Sequence, residues 1–108
     1  MTTNAKKSMW AVYDINMDIF DDDTHSEPRV WNAFLTNSYQ FALYKQKEYI
    51  EETKTELKKL NFKIIDEETE VSGDNTIVHI VYEGENQTIL QTVTLMPSKQ
   101  HYGPQCNN

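Results

Sequence analysis

Two short turn signals cut the last third of the chain into three pieces of strand. Ser72-Gly73-Asp74-Asn75 and Glu83-Gly84-Glu85-Asn86 consist of residues that favour tight turns. They separate Phe62 to about Val71, Ile77 to Glu83, and Thr88 to Met96, three runs suited to strands. Connections this short join antiparallel neighbours, so the region reads as a meander. Asn61 is placed to end whatever precedes it, and Pro97 to stop the last strand.

Residues 9 to 20 alternate. Met9, Ala11, Tyr13, Ile15, Met17 and Ile19 fall on one side, and Trp10, Val12, Asp14, Asn16, Asp18 and Phe20 on the other. This predicts a first strand whose core face is the uninterrupted apolar one. The segment Asp21-Asp22-Asp23-Thr24-His25-Ser26-Glu27-Pro28 then has helix-start chemistry, with capping-box spacing from Thr24 to Glu27.

On a wheel of 100° per residue, Trp31, Leu35, Tyr39, Ala42, Leu43, Gln46, Tyr49, Ile50, Thr53, Leu57 and Leu60 share an arc of about 120°. That phase predicts a helix of about thirty residues, about 45 Å long. Thr36-Asn37-Ser38 is a weak helical triplet where it could bend or break. A second apolar stripe, Val30, Phe34 and Phe41, lies on roughly the opposite side and requires another layer or a partner to cover it.

The expected fold is therefore α+β in the order β-α-β-β-β: an antiparallel sheet of three or four strands, with one long or broken helix packed on one face through residues such as Ile64, Ile80, Val93 and Leu95. At 108 residues the chain suits a single domain. We place that domain at 9–97, between a flexible N-terminus, 1–8, and a loose C-terminal tail, 98–108. No apolar run is long enough to span a bilayer and nothing resembles a signal peptide, so a cytoplasmic location is expected. The lone Cys106 forms no internal disulfide.

Charge is partitioned along this plan. Ser8 to Pro28 and Ile64 to Ser98 hold thirteen of the seventeen acidic residues and no lysine or arginine. An acidic surface repels nucleic acid and anionic membrane and attracts cations or a basic protein surface.

Cations come first. Asp14, Asp18, Asp21, Asp22, Asp23 and His25 offer the oxygen ligands that Mg²⁺ or Ca²⁺ prefers. Their spacing opposes it, because the alternating carboxylates and glycine of a calcium loop are missing. Asp14 and Asp18 are about 13 Å apart along a strand, too far to share one ion. No metal and no cofactor is expected. His79 sits mid-strand and reads as a buried, hydrogen-bonded structural residue. His101 and Cys106 lack the paired spacing of a zinc site. With three glycines there is no phosphate-binding loop, and the helix lysines are offset by glutamates, which opposes direct nucleic-acid binding.

A basic protein surface remains. The acids of the two blocks, Asp14, Asp18, Asp21, Asp22, Asp23 and Glu27 with Asp66, Glu67, Glu68 and Glu70, are the candidate contacts, and Trp10, Trp31 and Phe34 the candidate anchors. If the partner normally holds DNA or RNA, carboxylates at phosphate-like spacing can take its place. In size and charge the chain resembles the small acidic inhibitors that phages make against host nucleases and other defence proteins. That resemblance implies a non-enzymatic inhibitor acting in a host cytoplasm; no motif assigns a named family. Two alternatives stay open. One is a metal-dependent hydrolase or nuclease built on the Asp14 to His25 cluster. The other is a structural subunit or homodimer joined through Val30, Phe34 and Phe41 or an open sheet edge.

Overall fold

The structure is a computed structural model that describes residues 9–98. The chain forms β1 (Met9–Phe20), β2 (Arg29–Thr36), α1 (Tyr39–Lys59), β3 (Lys63–Ser72), β4 (Asn75–Glu83) and β5 (Gln87–Ser98). All strands lie in one antiparallel sheet with the spatial order β2-β1-β5-β4-β3. The α+β class stands, but the expected three or four strands and the β-α-β-β-β order do not: there are five strands, in the order β-β-α-β-β-β. The expected flexible residues 1–8 and the tail from 99 onward lie outside the described residues. Ser98 and Pro97 belong to β5, opposite Met9 and Trp10, so Pro97 does not stop the strand. Among the described residues no helix is long and apolar enough to cross a membrane.

The correction turns on residues 21 to 36. The aspartates after β1 build a hairpin loop and not a helix start. Asp23 takes a left-handed conformation at φ 68°, and the Asp22 carboxylate accepts from the Thr24 N–H and hydroxyl at 3.1 and 2.6 Å. The Ser26 hydroxyl accepts from the Asp18 N–H at 3.0 Å, closing the loop against β1. The chain returns as β2, in which Trp31 is the extra residue of a bulge: Asn32 faces Asp14 while Val30 faces Ile15. Two apolar stripes on opposite sides of residues 30 to 35 are what a two-faced strand displays.

The helix starts where the weak triplet ends. Ser38 is the N-cap, its hydroxyl accepting the Phe41 N–H at 3.1 Å. Lys58 and Lys59 occupy the last turn, where cations suit the helix dipole, and Asn61 at φ 67° turns the chain toward β3.

One sheet face is covered by α1. Ala42, Tyr49, Ile50 and Leu57 of the helix form a core with Val12, Val78, Ile80, Tyr82, Ile89, Val93 and Leu95. Burying each large aliphatic side chain contributes about 1.5–3 kcal/mol before entropy is counted. Gln46 anchors the helix to the sheet backbone by donating to the carbonyls of Thr76 and Val93, both at 3.0 Å. The covered face of β1 is the one carrying Val12, Asp14 and Asn16, which reverses the expected core side.

Candidate binding surface

Among the described residues no helix lies over the other sheet face. Strand alternation sends Tyr13, Ile15 and Met17 of β1 to this side, and the register aligns each with a row that crosses the sheet. Tyr13 leads through Thr94 and Ile77 to Glu70. Ile15 leads through Thr92 and His79 to Glu68, and Met17 through Leu90 and Val81 to Asp66. Each row is apolar at β1 and ends in a carboxylate on β3. The β1, β5 and β4 members are half-buried, and the three acids are exposed. A solvent-facing antiparallel sheet is ordinarily polar, so a floor on which Tyr13, Ile15, Met17, Ile77, Val81 and Leu90 are interrupted only by Thr92, Thr94 and His79 is a feature to be accounted for.

Because Asp66, Glu68 and Glu70 occupy alternate positions of one strand, their backbones follow at intervals of about 6.7 Å. His79 stands inside this rim. Its Nε2 lies 3.4 Å from Glu70 Oε1, and its Nδ1 lies 3.4 Å from Thr92 Oγ1. It is on the uncovered face and 35% exposed, so it is not the buried histidine that its apolar neighbours predict.

Asp21, Asp22, Asp23 and Glu27 are exposed in the β1–β2 loop. Phe20 pairs with Gln87, so the loop projects from the same end of the sheet as the β4–β5 turn with Glu83 and Glu85. The Thr24 hydroxyl and N–H hold the Asp22 carboxyl below the usual carboxylate range. Asp22 therefore keeps its negative charge at neutral pH.

The remaining candidates lie elsewhere. Asp14 is 0% exposed and faces α1, so it is not a surface contact. Its Oδ1 accepts from Asn16 Nδ2 at 3.1 Å and Gln91 Nε2 at 3.0 Å, and its Oδ2 from Asn32 Nδ2 at 3.0 Å. Gln91 also donates to the Thr53 hydroxyl and accepts from the Tyr82 hydroxyl at 2.7 Å. The result is a buried amide-lined carboxylate that joins β1, β2 and β5 directly and, through Gln91, β4 and the helix. Asp18 is held by Arg29 at 2.7 Å, and Glu67 turns to the helix side, where Lys54 reaches it at 3.2 Å. Trp10 packs on Tyr39, and Phe34 meets Phe41 edge to face and has the Lys45 ammonium over its ring. Trp31, in the bulge, is 44% exposed. Among the described residues no three His, Cys, Asp or Glu side chains stand close enough to share a metal ion. His101 and Cys106 lie outside the described residues.

Sequence reasoning missed the floor itself, because it assigned Tyr13, Ile15 and Met17 to the core. The signal was available on the other side of β1: Asp14 and Asn16 share a face with Gln91, and a buried carboxylate demands such partners. No protein-family model matches the chain, and comparisons with curated proteins and with solved structures find no significant match.

Proposed function

We propose that this chain is a non-enzymatic binding protein that lays its uncovered sheet face and acidic edge on a basic surface of a larger protein, one that normally holds nucleic acid. The observation that carries this reading is the set of three rows that run from an apolar floor to the carboxylates of Asp66, Glu68 and Glu70. Apolar area supplies affinity, and the acids select a lysine- or arginine-bearing partner and speed its encounter. The exposed Asp21 to Asp23 loop and Glu27 extend the negative surface beyond the sheet. By occupying a nucleic-acid site, the protein inhibits by competition, as a phage-type antagonist does in a host cytoplasm.

The hydrolase alternative is weakened by geometry. Asp14 is enclosed by amides, Asp18 by Arg29 and Asp22 by Thr24, so the cluster does not converge. A homodimer remains the second reading, favoured by the exposure of Val30 and Leu35 on the β2 edge.

The test is affinity capture from a host lysate with a salt gradient, run beside a variant carrying Asp66→Lys, Glu68→Lys and Glu70→Lys. The reading expects a stoichiometric, salt-sensitive partner that loses its nucleic acid on binding and is not retained by the variant. Equal retention by the variant overturns it. A dimeric mass at micromolar concentration with no partner moves the assignment to the homodimer.

A further inference from the structure

On the opposite side of the sheet, beside the start of α1, Trp10, Tyr39, Val71, Gly73, Asp74 and Thr76 line a groove of about 300 Å³. Three features of its wall point to one kind of ligand. Trp10 and Tyr39 meet edge to face, with ring centroids 4.8 Å apart and planes inclined by 65°, so the groove has an aromatic corner in place of a flat wall. Asp74, exposed in the β3–β4 turn, is the one acidic residue among those that line it. Among the described residues no lysine or arginine lines the groove.

We infer that this groove receives the guanidinium of an arginine side chain from a protein partner. A guanidinium is planar, weakly hydrated and permanently charged. It stacks on an aromatic face while its paired N–H groups meet a carboxylate, and the indole is the strongest such face. The volume is at the small end of ligand pockets and suits one side chain better than a cofactor. An anion is opposed by Asp74. The N-terminus of α1 opposes a cation only weakly, since the dipole of an exposed helix end contributes little. The same molecule displays the attraction internally: the Lys45 ammonium lies 5.1 Å from the centre of the Phe34 ring and 5.8 Å from that of Tyr49. Gly73 at φ 62° makes the turn that brings Asp74 into the lining. The assignment is independent of the uncovered face, since Trp10 and Thr76 belong to the helix side of the sheet.

The experiment is a two-dimensional amide and indole NMR titration of the full chain with acetyl-Gly-Arg-Gly-amide, against the same peptide with citrulline, the neutral isostere. The inference expects saturable shifts at the Trp10 indole N–H and the Gly73 and Asp74 amides. It also expects at least a fivefold weaker response to citrulline, and a similar loss in Asp74→Asn and in Tyr39→Leu, which keeps apolar volume without the ring. Equal response to both peptides overturns it, as does undiminished binding in both variants. A chain with Lys6, Lys7 and Lys99 changed to glutamine separates the sources: a response seen only there means that the cation comes from the chain itself, which overturns the partner assignment.

Discussion

Gln91 Nε2 donates to Asp14 Oδ1 at 3.0 Å, and both side chains are fully buried between the sheet and α1. Gln91 is diagonal to Asp14 across the β1–β5 pair, since Asp14 faces Val93 and Gln91 faces Asn16. The bond therefore requires this register. A slip of one residue would send Asp14 to the uncovered face and leave the amides of Asn16, Asn32 and Gln91 without their acceptor.

Asp14→Asn keeps the shape but replaces one acceptor oxygen with a donor among donors. Leaving a buried donor unpaired costs about 1–3 kcal/mol, and more where the lost partner is charged. Urea unfolding of this variant is expected to show a midpoint lowered by the equivalent of about 3 kcal/mol with an unchanged slope.

Burial pushes the Tyr82 hydroxyl well above the ordinary tyrosine range, with Glu67 and Asp14 adding to the shift, and burial also raises Tyr49. An acid whose folded pKa is raised contributes stability that is complete below its unfolded pKa, about 10, and is lost as pH rises above it. Stability measured from pH 8 to 11 is expected to fall across the upper part of that range. The fall should be shallower in Tyr82→Phe, whose stability at neutral pH is lower because Gln91 Oε1 loses its donor. A flat profile in the parent chain would contradict this account.

Gly84 is close to the Phe62 ring. A Cβ added there would stand 2.6 Å from Phe62 Cε2, and Phe62 is packed against the core. Gly84→Ala is expected to lower stability by about 1–3 kcal/mol, the usual range for overpacking. Adding Phe62→Leu should recover part of the loss, as a double-mutant cycle in denaturant would reveal.

Ser38→Ala removes the cap of α1 and is expected to cost about 0.5–2 kcal/mol. Ser38→Asp should retain most of that stability, since a carboxylate accepts the Phe41 N–H and suits the helix N-terminus. Thermal unfolding followed by circular dichroism separates the two.

The second half of the fold is legible because its punctuation is local: Gly73, Gly84 and their neighbours specify turns whatever surrounds them. The helix is legible through the phase of Ala42, Tyr49, Ile50 and Leu57, but its start is not: Ser38 reads as part of a weak triplet inside a longer helix, whereas it is the cap of α1. Residues 29 to 36 are not. Trp31 and Leu35, four apart, satisfy a helical wheel, while the bulge at Trp31 breaks the alternation that would have marked a strand. The β1 faces were read the wrong way round because hydrophobicity alone decided the core side. Burial followed the polar network instead: Asp14 and Asn16 lie inside because Asn32 and Gln91 meet the carboxylate there. The surface acids at Asp21 to Asp23 and Asp66 to Glu70 were legible from charge alone, but not the apolar rows that end on β3.

Strand β3 is exposed at every residue, and its outer backbone edge is unpaired among the described residues. Such an edge is a template on which further strands can grow. Two copies meeting β3 to β3 would set their carboxylate rows side by side, so the molecule rejects its own likeness there by repulsion. At the β2 margin the Trp31 bulge breaks the regular edge, so a second copy there would meet Val30 and Leu35 through side chains and not by extending the sheet. An extended peptide bearing lysine or arginine meets no such repulsion along β3 beyond the bulge at Ile65. The residues that guard this chain against fibrils thus leave one gate open, and its key is positive charge.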